Sequence, residues 1–138
     1  MTTTSPQVSL PHAVAHHSHR IVARSVAAIG LLGIGLIHLL DLPGKMKETP
    51  YLGVAYIALI VGTLVASAWL SVRDSRNAWI FGGGVALLTL IGFIVNRTVG
   101  MPNATDDIGN WLEPLGLASL FVEALVVLVA GFVLADRT

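Results

Sequence analysis

Glu123 is the residue whose position most strongly suggests chemistry, because it interrupts an apolar run. The run extends from Leu115 to Ala135 and is otherwise long and apolar enough to cross a bilayer. A carboxyl group at that depth is costly whether it is ionised or takes up a proton, and intramembrane acids are functional by default. The sequence therefore predicts that polar groups on neighbouring spans compensate Glu123.

A few other polar residues fall inside apolar segments or at their ends. At 1.5 Å per residue, His38 lies about 6 Å inside one membrane boundary and Glu123 about 13 Å inside the same boundary. Asp41 shares a helix face with His38, and Ser119 lies one turn from Glu123. These depths predict one ligand-binding or proton-binding set, which consists of Glu123, His38, Arg97, Asn96, Asp41, Tyr56, Ser119 and Glu113.

Most of these side chains also have a purely structural interpretation. His38 can donate a hydrogen bond to a nearby backbone carbonyl, and Tyr56 can be an interfacial aromatic. Arg97 can extend to the headgroups or pair with Asp41 or Glu113. Glu123 can serve as a buried hydrogen-bonding link between helices. The sequence leaves these alternatives open.

A metal site is a weaker alternative. His38, Asp41 and Glu123 supply nitrogen and oxygen ligands of a type that divalent ions accept. Their depths along the helix axes differ by about 6–7 Å, so the spacing does not establish a site. The chain has no cysteine, which excludes thiolate zinc sites and iron–sulfur clusters. The sequence identifies no cofactor, and it shows no nucleophile–base pair that would indicate an enzyme.

Composition indicates a membrane protein. Of 138 residues, 54% are hydrophobic and 12% are charged, whereas soluble domains carry about 25% charged residues. Apolar segments of spanning length cover about residues 21–42, 52–72, 78–99 and 114–135. The connections between them are short, so the predicted fold is an all-α antiparallel bundle of four transmembrane helices. The formal net charge is zero, and no basic surface for nucleic acid is visible.

The distribution of Lys and Arg predicts the orientation. One side of the membrane would carry Arg20, Arg24, Arg73, Arg76 and Arg137, and the other only Lys45, Lys47 and Arg97. This bias places both termini of the multi-pass membrane protein in the cytoplasm. Residues 1–20 have no apolar periodicity at their start and are predicted to be a disordered, histidine-containing tail.

Small residues recur along three of the predicted helices. In membranes such residues permit close backbone approach between helices. They are spaced along one side of each helix: Ala23, Ala27, Gly30 and Gly33 in the first, Ala58, Gly62 and Ala66 in the second, and Gly82, Gly83, Gly84 and Ala86 in the third. The pattern fits a tight bundle, and it equally fits a homo-oligomer or a larger membrane complex.

Several short segments resemble a group of small four-helix bacterial membrane proteins. The similarity extends over about residues 24–135. It rests on Gly35-Leu36-Ile37-His38-Leu39, Pro50-Tyr51-Leu52-Gly53, Asn96-Arg97-Thr98-Val99-Gly100-Met101-Pro102, and Trp111-Leu112-Glu113-Pro114-Leu115-Gly116 followed by Glu123. The resemblance implies the four-helix fold and a bacterial inner membrane, and it implies no activity.

The polar residues concentrate in one half of the predicted bundle. This gradient predicts a polar pocket that opens to the extracytoplasmic side and is closed toward the cytoplasm, in contact with membrane lipid. The first hypothesis is a protein that binds or helps to move a small ligand or cation, with Glu123 as the proton-linked group. The alternative is a non-catalytic accessory subunit, in which Glu123 pairs with a neighbouring chain.

Overall fold

The computed structural model describes residues 10–138, with side chains from residue 15 onward. It is all-helical, with α1 at Leu10–Glu48, α2 at Pro50–Val72, α3 at Arg76–Thr98 and α4 at Pro114–Ala135. All four helices are long and apolar enough to cross a membrane. The chain is therefore a multi-pass membrane protein with a four-helix bundle.

The first helix extends well beyond its apolar segment in both directions. Its 39 residues correspond to about 58 Å, against a hydrocarbon core of about 30 Å. It begins at Leu10, inside the segment expected to be a disordered tail, and residues 1–9 of that tail lie outside the described residues. It also continues through Pro43 to Glu48, which brings Lys45 onto the helical face of Asp41.

Apolar side chains separate into a core and an outward face. The core consists mainly of small and branched residues on the facing sides of the helices, such as Ala27, Leu31, Ala66 and Ala130. Large apolar side chains remain exposed on the outward faces, among them Leu36, Val61, Leu88, Phe121, Leu128 and Phe132. In lipid such a surface needs no polar cover, because acyl chains are as apolar as leucine.

The small residues predicted to mediate packing are used largely within the chain. A Cβ atom on Gly83 would lie 2.8 Å from the Ala130 Cβ, and one on Gly30 would lie 2.5 Å from Val126 Cγ2. On α2, Ala66 is fully buried, and a Cβ on Gly62 would be 3.8 Å from Val85 Cγ2. The stripes therefore let α1 and α3 approach α4, and α2 approach α3.

One end of the bundle is held by Asp74, in the connection between α2 and α3. Its carboxylate accepts a hydrogen bond from Trp79 Nε1 at 2.8 Å and forms ion pairs with Arg20, at 3.4 Å, and with Arg137. Beside it, Arg24 donates to backbone carbonyls at the end of α2, at 2.9 and 2.8 Å. Residues early in α1, between α2 and α3, and after α4 thus meet at this "Asp74 end".

We predict that replacing Gly82 with leucine destabilises the bundle. A Cβ there would lie 3.2 Å from Leu70 Cδ1 and 3.3 Å from Leu31 Cδ1, both in the core. Such overpacking costs about 1–3 kcal/mol. The measurement is thermal unfolding in detergent, with Gly84→Leu as the matched control.

Gly84 is on the same helix and is exposed, and a Cβ added to it would meet no atom within 4 Å. Equal unfolding temperatures for the two leucine variants would contradict the close packing of α3 against α1 and α2.

Candidate functional site

A cavity of about 440 Å³ lies at the end of the bundle opposite Asp74. All four helices and the loop before α4 contribute to its wall. The predicted site residues that line it are His38, Asp41, Tyr56, Asn96, Arg97, Glu113 and Ser119. Glu123 is the predicted residue that does not line the cavity. The volume is in the range of small-molecule sites, about 300–1,000 Å³.

Arg97 is the most deeply buried cation at this end of the bundle, which we call the Asp107 end after the loop acid that pairs with Arg97. Its side chain is 7% exposed, and Nη1 lies 2.7 Å from Asp107 Oδ1. Nη2 lies 3.6 Å from Glu113 Oε2, and the guanidinium carbon is 5.1 Å from the centroid of the Phe93 ring. Two acids and an aromatic face thus offset the cost of burying the charge. Arg97 therefore pairs with acids, which is one of the structural roles considered from the sequence, and Asp107 is nearer to it than Glu113.

Asp107 also connects the loop to α1 and makes a second contact with α3. Its Oδ2 accepts hydrogen bonds from Lys45 Nζ on α1 and from Asn96 Nδ2 on α3, each at 3.1 Å. Partial burial opposes ionisation of Asp107, but these hydrogen bonds and the nearby cations outweigh it. The pKa of the Asp107 carboxyl is consequently lowered from its ordinary value of 3.8.

The loop of residues 99–113 closes over this end through backbone contacts. Gly109 N donates to Arg97 O at 2.8 Å, and Tyr51 Oη on α2 donates to Pro102 O at 2.6 Å. Gly100 and Gly109 have φ angles of 78° and 79°, a region that glycine enters without strain. Backbone geometry therefore positions Asp107 over the cavity.

Glu113 combines two tasks at the start of α4. It is the N-cap residue, and its carboxylate accepts hydrogen bonds from Leu115 N at 2.9 Å and Gly116 N at 2.6 Å. The same carboxylate approaches Arg97. A Cβ on Gly116 would lie 2.9 Å from Arg97 Nη2 and 3.0 Å from Glu113 Oε2. Glycine at 116 thus makes room for the guanidinium beside the helix N-terminus.

His38 and Asp41 of α1 and Tyr56 of α2 contact one another in the cavity wall. Tyr56 Oη donates to Asp41 Oδ2 at 3.2 Å, and the rings of His38 and Tyr56 meet edge to face with centroids 4.7 Å apart. His38 Nδ1 is 2.9 Å from Ile34 O. Because a carbonyl only accepts, Nδ1 is the donor, which is the structural interpretation given above for His38. Nε2 is then the remaining ring nitrogen.

Glu123 is fully buried behind the cavity. Its partner is Ser119 on the same helix, whose Oγ donates to Oε1 at 2.5 Å. Within residues 15–138, Glu123 Oε2 has no hydrogen-bond partner. The expectation that neighbouring spans turn polar groups toward Glu123 therefore differs from the structure, since His38 bonds its own helix and Arg97 bonds the loop.

The weak metal candidates are not assembled into a site. Among the described residues, no three His, Cys, Asp or Glu side chains are grouped so as to hold a metal ion. Asp41 bonds Tyr56, whereas Glu123 bonds Ser119 behind the cavity. The histidines of residues 16–19 are on the exposed early part of α1, and the side chain of His12 lies outside the described residues.

Three residues of this site were absent from the predicted set: Lys45, Phe93 and Asp107. Lys45 follows Asp41 by four positions, the spacing of one helix face, but the first span was expected to end at Leu42. Phe93 precedes Arg97 by four positions, which is the spacing of the observed cation–π contact. Asp107 lies in a loop with other acidic residues, and acids in a loop are commonly there only to interact with water. No spacing or motif therefore distinguished Asp107 in the sequence.

Comparison of the chain with protein-family models, curated proteins and solved structures finds no match. The geometry of the cavity therefore provides the argument for function.

We predict that Asp107→Asn destabilises the protein at neutral pH by about 1–3 kcal/mol, since it weakens charge-assisted hydrogen bonds to Lys45 and Arg97. The difference in unfolding temperature between wild type and variant is the measurement. The lowered pKa means that the native state favours ionised Asp107. Its contribution is complete above the ordinary value of 3.8 and is lost as the pH falls through the lowered pKa.

Asp106→Asn is the control, because Asp106 is exposed and forms no ion pair within the described residues. An equal effect of both asparagine variants, or a wild-type advantage that persists in strong acid, would contradict the role of Asp107.

Proposed function

We propose that the protein binds a small ligand in the Asp107-end cavity, which faces the extracytoplasmic side of a bacterial inner membrane. The observation that supports the proposal is the cavity itself, a space of about 440 Å³ lined by all four helices, with charged or aromatic side chains from α1, α2, α3 and the loop before α4. Burying Arg97 and ordering a loop above it are costly features for a bundle that serves only to pack helices.

The proposed topology is antiparallel, with both termini in the cytoplasm. Arg20 and Arg137, near opposite ends of the described chain, both pair with Asp74. Lys45, late in α1, pairs with Asp107 between α3 and α4. These pairs fit helices that alternate in direction. The Asp74 end also has the larger number of Arg and Lys residues, which is typical of the cytoplasmic side.

Glu123 is the proton-linked group of the proposal. Within the described residues it forms no ion pair, and an ionised carboxylate without a cation is costly in a low-dielectric interior. Ser119 lines the cavity and bonds Glu123. The hydroxyl of Ser119 therefore connects the space for a ligand with the buried acid.

An accessory role in a larger complex is the alternative. The small-residue stripes offer it limited support, because Gly30, Ala66 and Gly83 are engaged within the chain. Contact of Glu123 with a partner chain also receives little support, because its side chain is fully buried here.

The orientation is testable with single cysteines, since the native chain contains none. We expect Asp106→Cys to react with a membrane-impermeant maleimide in intact spheroplasts. Asn77→Cys, at the Asp74 end of α3, should react only after permeabilisation. The reverse pattern would overturn the orientation, and reaction of both sites in intact spheroplasts would overturn the transmembrane arrangement.

Ligand binding is testable by filling the cavity. Gly92 lines it, and a Cβ there would meet no atom within 4 Å, so Gly92→Leu should fold normally and occupy the space. Native mass spectrometry of protein ejected from membrane vesicles should show a bound small molecule on the wild type. Gly92→Leu should lose most of the bound fraction.

Gly84→Leu is the matched control, because it places the same side chain in open space on α3 away from the cavity. A small molecule retained by Gly92→Leu, or none on the wild type, would contradict the proposal. A protein subunit that accompanies wild type and Gly92→Leu alike would favour the accessory role.

A further inference from the structure

The charges around the cavity are unequally partnered. Lys45 pairs with Asp107 at 3.1 Å, and Arg97 pairs with Asp107 and Glu113 at 2.7 and 3.6 Å. Asp41 also lines the cavity, yet within the described residues it forms no ion pair. The cations in the wall therefore form their ion pairs with other acids, whereas Asp41 interacts with Lys45 only as a more distant charge on the same helix face.

Two buried polar atoms at this end also lack a hydrogen-bond partner among the described residues. Asn96 Oδ1 is buried and has no donor among the described residues, while its Nδ2 is held by Asp107. Tyr56 Oη uses one oxygen of Asp41, and His38 places its ring against Tyr56. Arg97 Nε lacks an acceptor too, but the charge of its guanidinium is met by Asp107 and Glu113. A ligand that complements Asp41 brings positive charge and N–H donors.

Much of the remaining wall is apolar and lies between α2 and α3. It is formed by Leu52, Ala55, Leu59, Leu88 and Gly92, together with Ile37 of α1, and the hydroxyl of Thr89 in the same wall donates to Val85 O of its own helix. The two helices are close toward the Asp74 end, where a Cβ on Gly82 would be 3.8 Å from Ala66 Cβ. A Cβ added to Gly92 would have no atom within 4 Å. α2 and α3 thus diverge toward the cavity and leave a largely apolar slot between them.

We propose that the ligand is an amphiphile with an ammonium head and an apolar tail. The head lies at Asp41, beside the rings of Tyr56 and His38, where aromatic faces favour a cation. The tail occupies the slot between α2 and α3, which the membrane interior can supply directly. This inference rests on the proposed function and adds the chemical class of the ligand.

The test measures binding of octylammonium, octanoate and octanol to protein in phosphatidylglycerol nanodiscs, which contain no amine, with the binding to empty nanodiscs subtracted because the anionic lipid itself attracts octylammonium. We expect octylammonium to bind at least about tenfold more tightly than the other two, since a charge-assisted hydrogen bond is worth about 1.5–3 kcal/mol. Asp41→Asn should remove this preference while octanol still binds. Asp106→Asn, in the exposed part of the loop, should leave the preference unchanged.

The failures of the two proposals are distinguishable. If Gly92→Leu abolishes binding but octanoate or octanol binds as well as octylammonium, the cavity is a site and the ammonium inference is overturned. If Gly92→Leu and Gly84→Leu bind all three compounds like the wild type, the proposed function fails as well. If phosphatidylethanolamine added to the nanodisc displaces octylammonium, the inference is supported and the natural ligand is a membrane lipid. If phosphatidylethanolamine does not displace it and octylammonium is still preferred, the inference is supported and the natural ligand is a free amine.

Discussion

Burial of the Arg97 guanidinium is the constraint on which the Asp107 end of the molecule depends. A cation that is 7% exposed requires acids at fixed positions, because an unpaired charge in that environment is costly. Asp107 meets this requirement from the loop and Glu113 from the start of α4. Lys45 then binds the same Asp107 from α1. One ion-pair network thus joins α1, α3, the loop and the start of α4, and its four charged side chains form part of the cavity wall.

Two acids of the predicted set, Glu113 and Glu123, have different environments. Glu113 is a half-buried helix cap with several donors, whereas Glu123 is fully buried and bonded only through Ser119 among the described residues. Their separation of about three helical turns means that the cavity has a charged rim and a deep acid behind its wall. In the proposed function, the polar head of the ligand lies near the charged side chains and Glu123 holds a proton further inside.

The helices were more predictable than the contacts between them. The fourth span was expected at 114–135, and α4 is Pro114–Ala135, because the length of an apolar run is a local property of the sequence. The end of α1 was not predictable from residue preferences, since Pro43 and Gly44 commonly end helices but here lie within one. The network around Asp107 depends on pairs such as Lys45 and Asp107, which are 62 positions apart. Depth alone grouped the residues near the cavity, but it did not tell which charges would neutralise one another.

The lack of space at Gly116 has a consequence for how this protein can change over evolutionary time. A methyl group there would meet Arg97, Glu113 and Phe93 at distances of 2.9–3.1 Å, so even alanine requires the guanidinium to shift. Lineages that keep an arginine at 97 should therefore also keep glycine at 116 and an acid at 113. Where the arginine is replaced by a small neutral residue, the other two positions become free to drift. Covariation among these three sites would be the genetic trace of one buried charge.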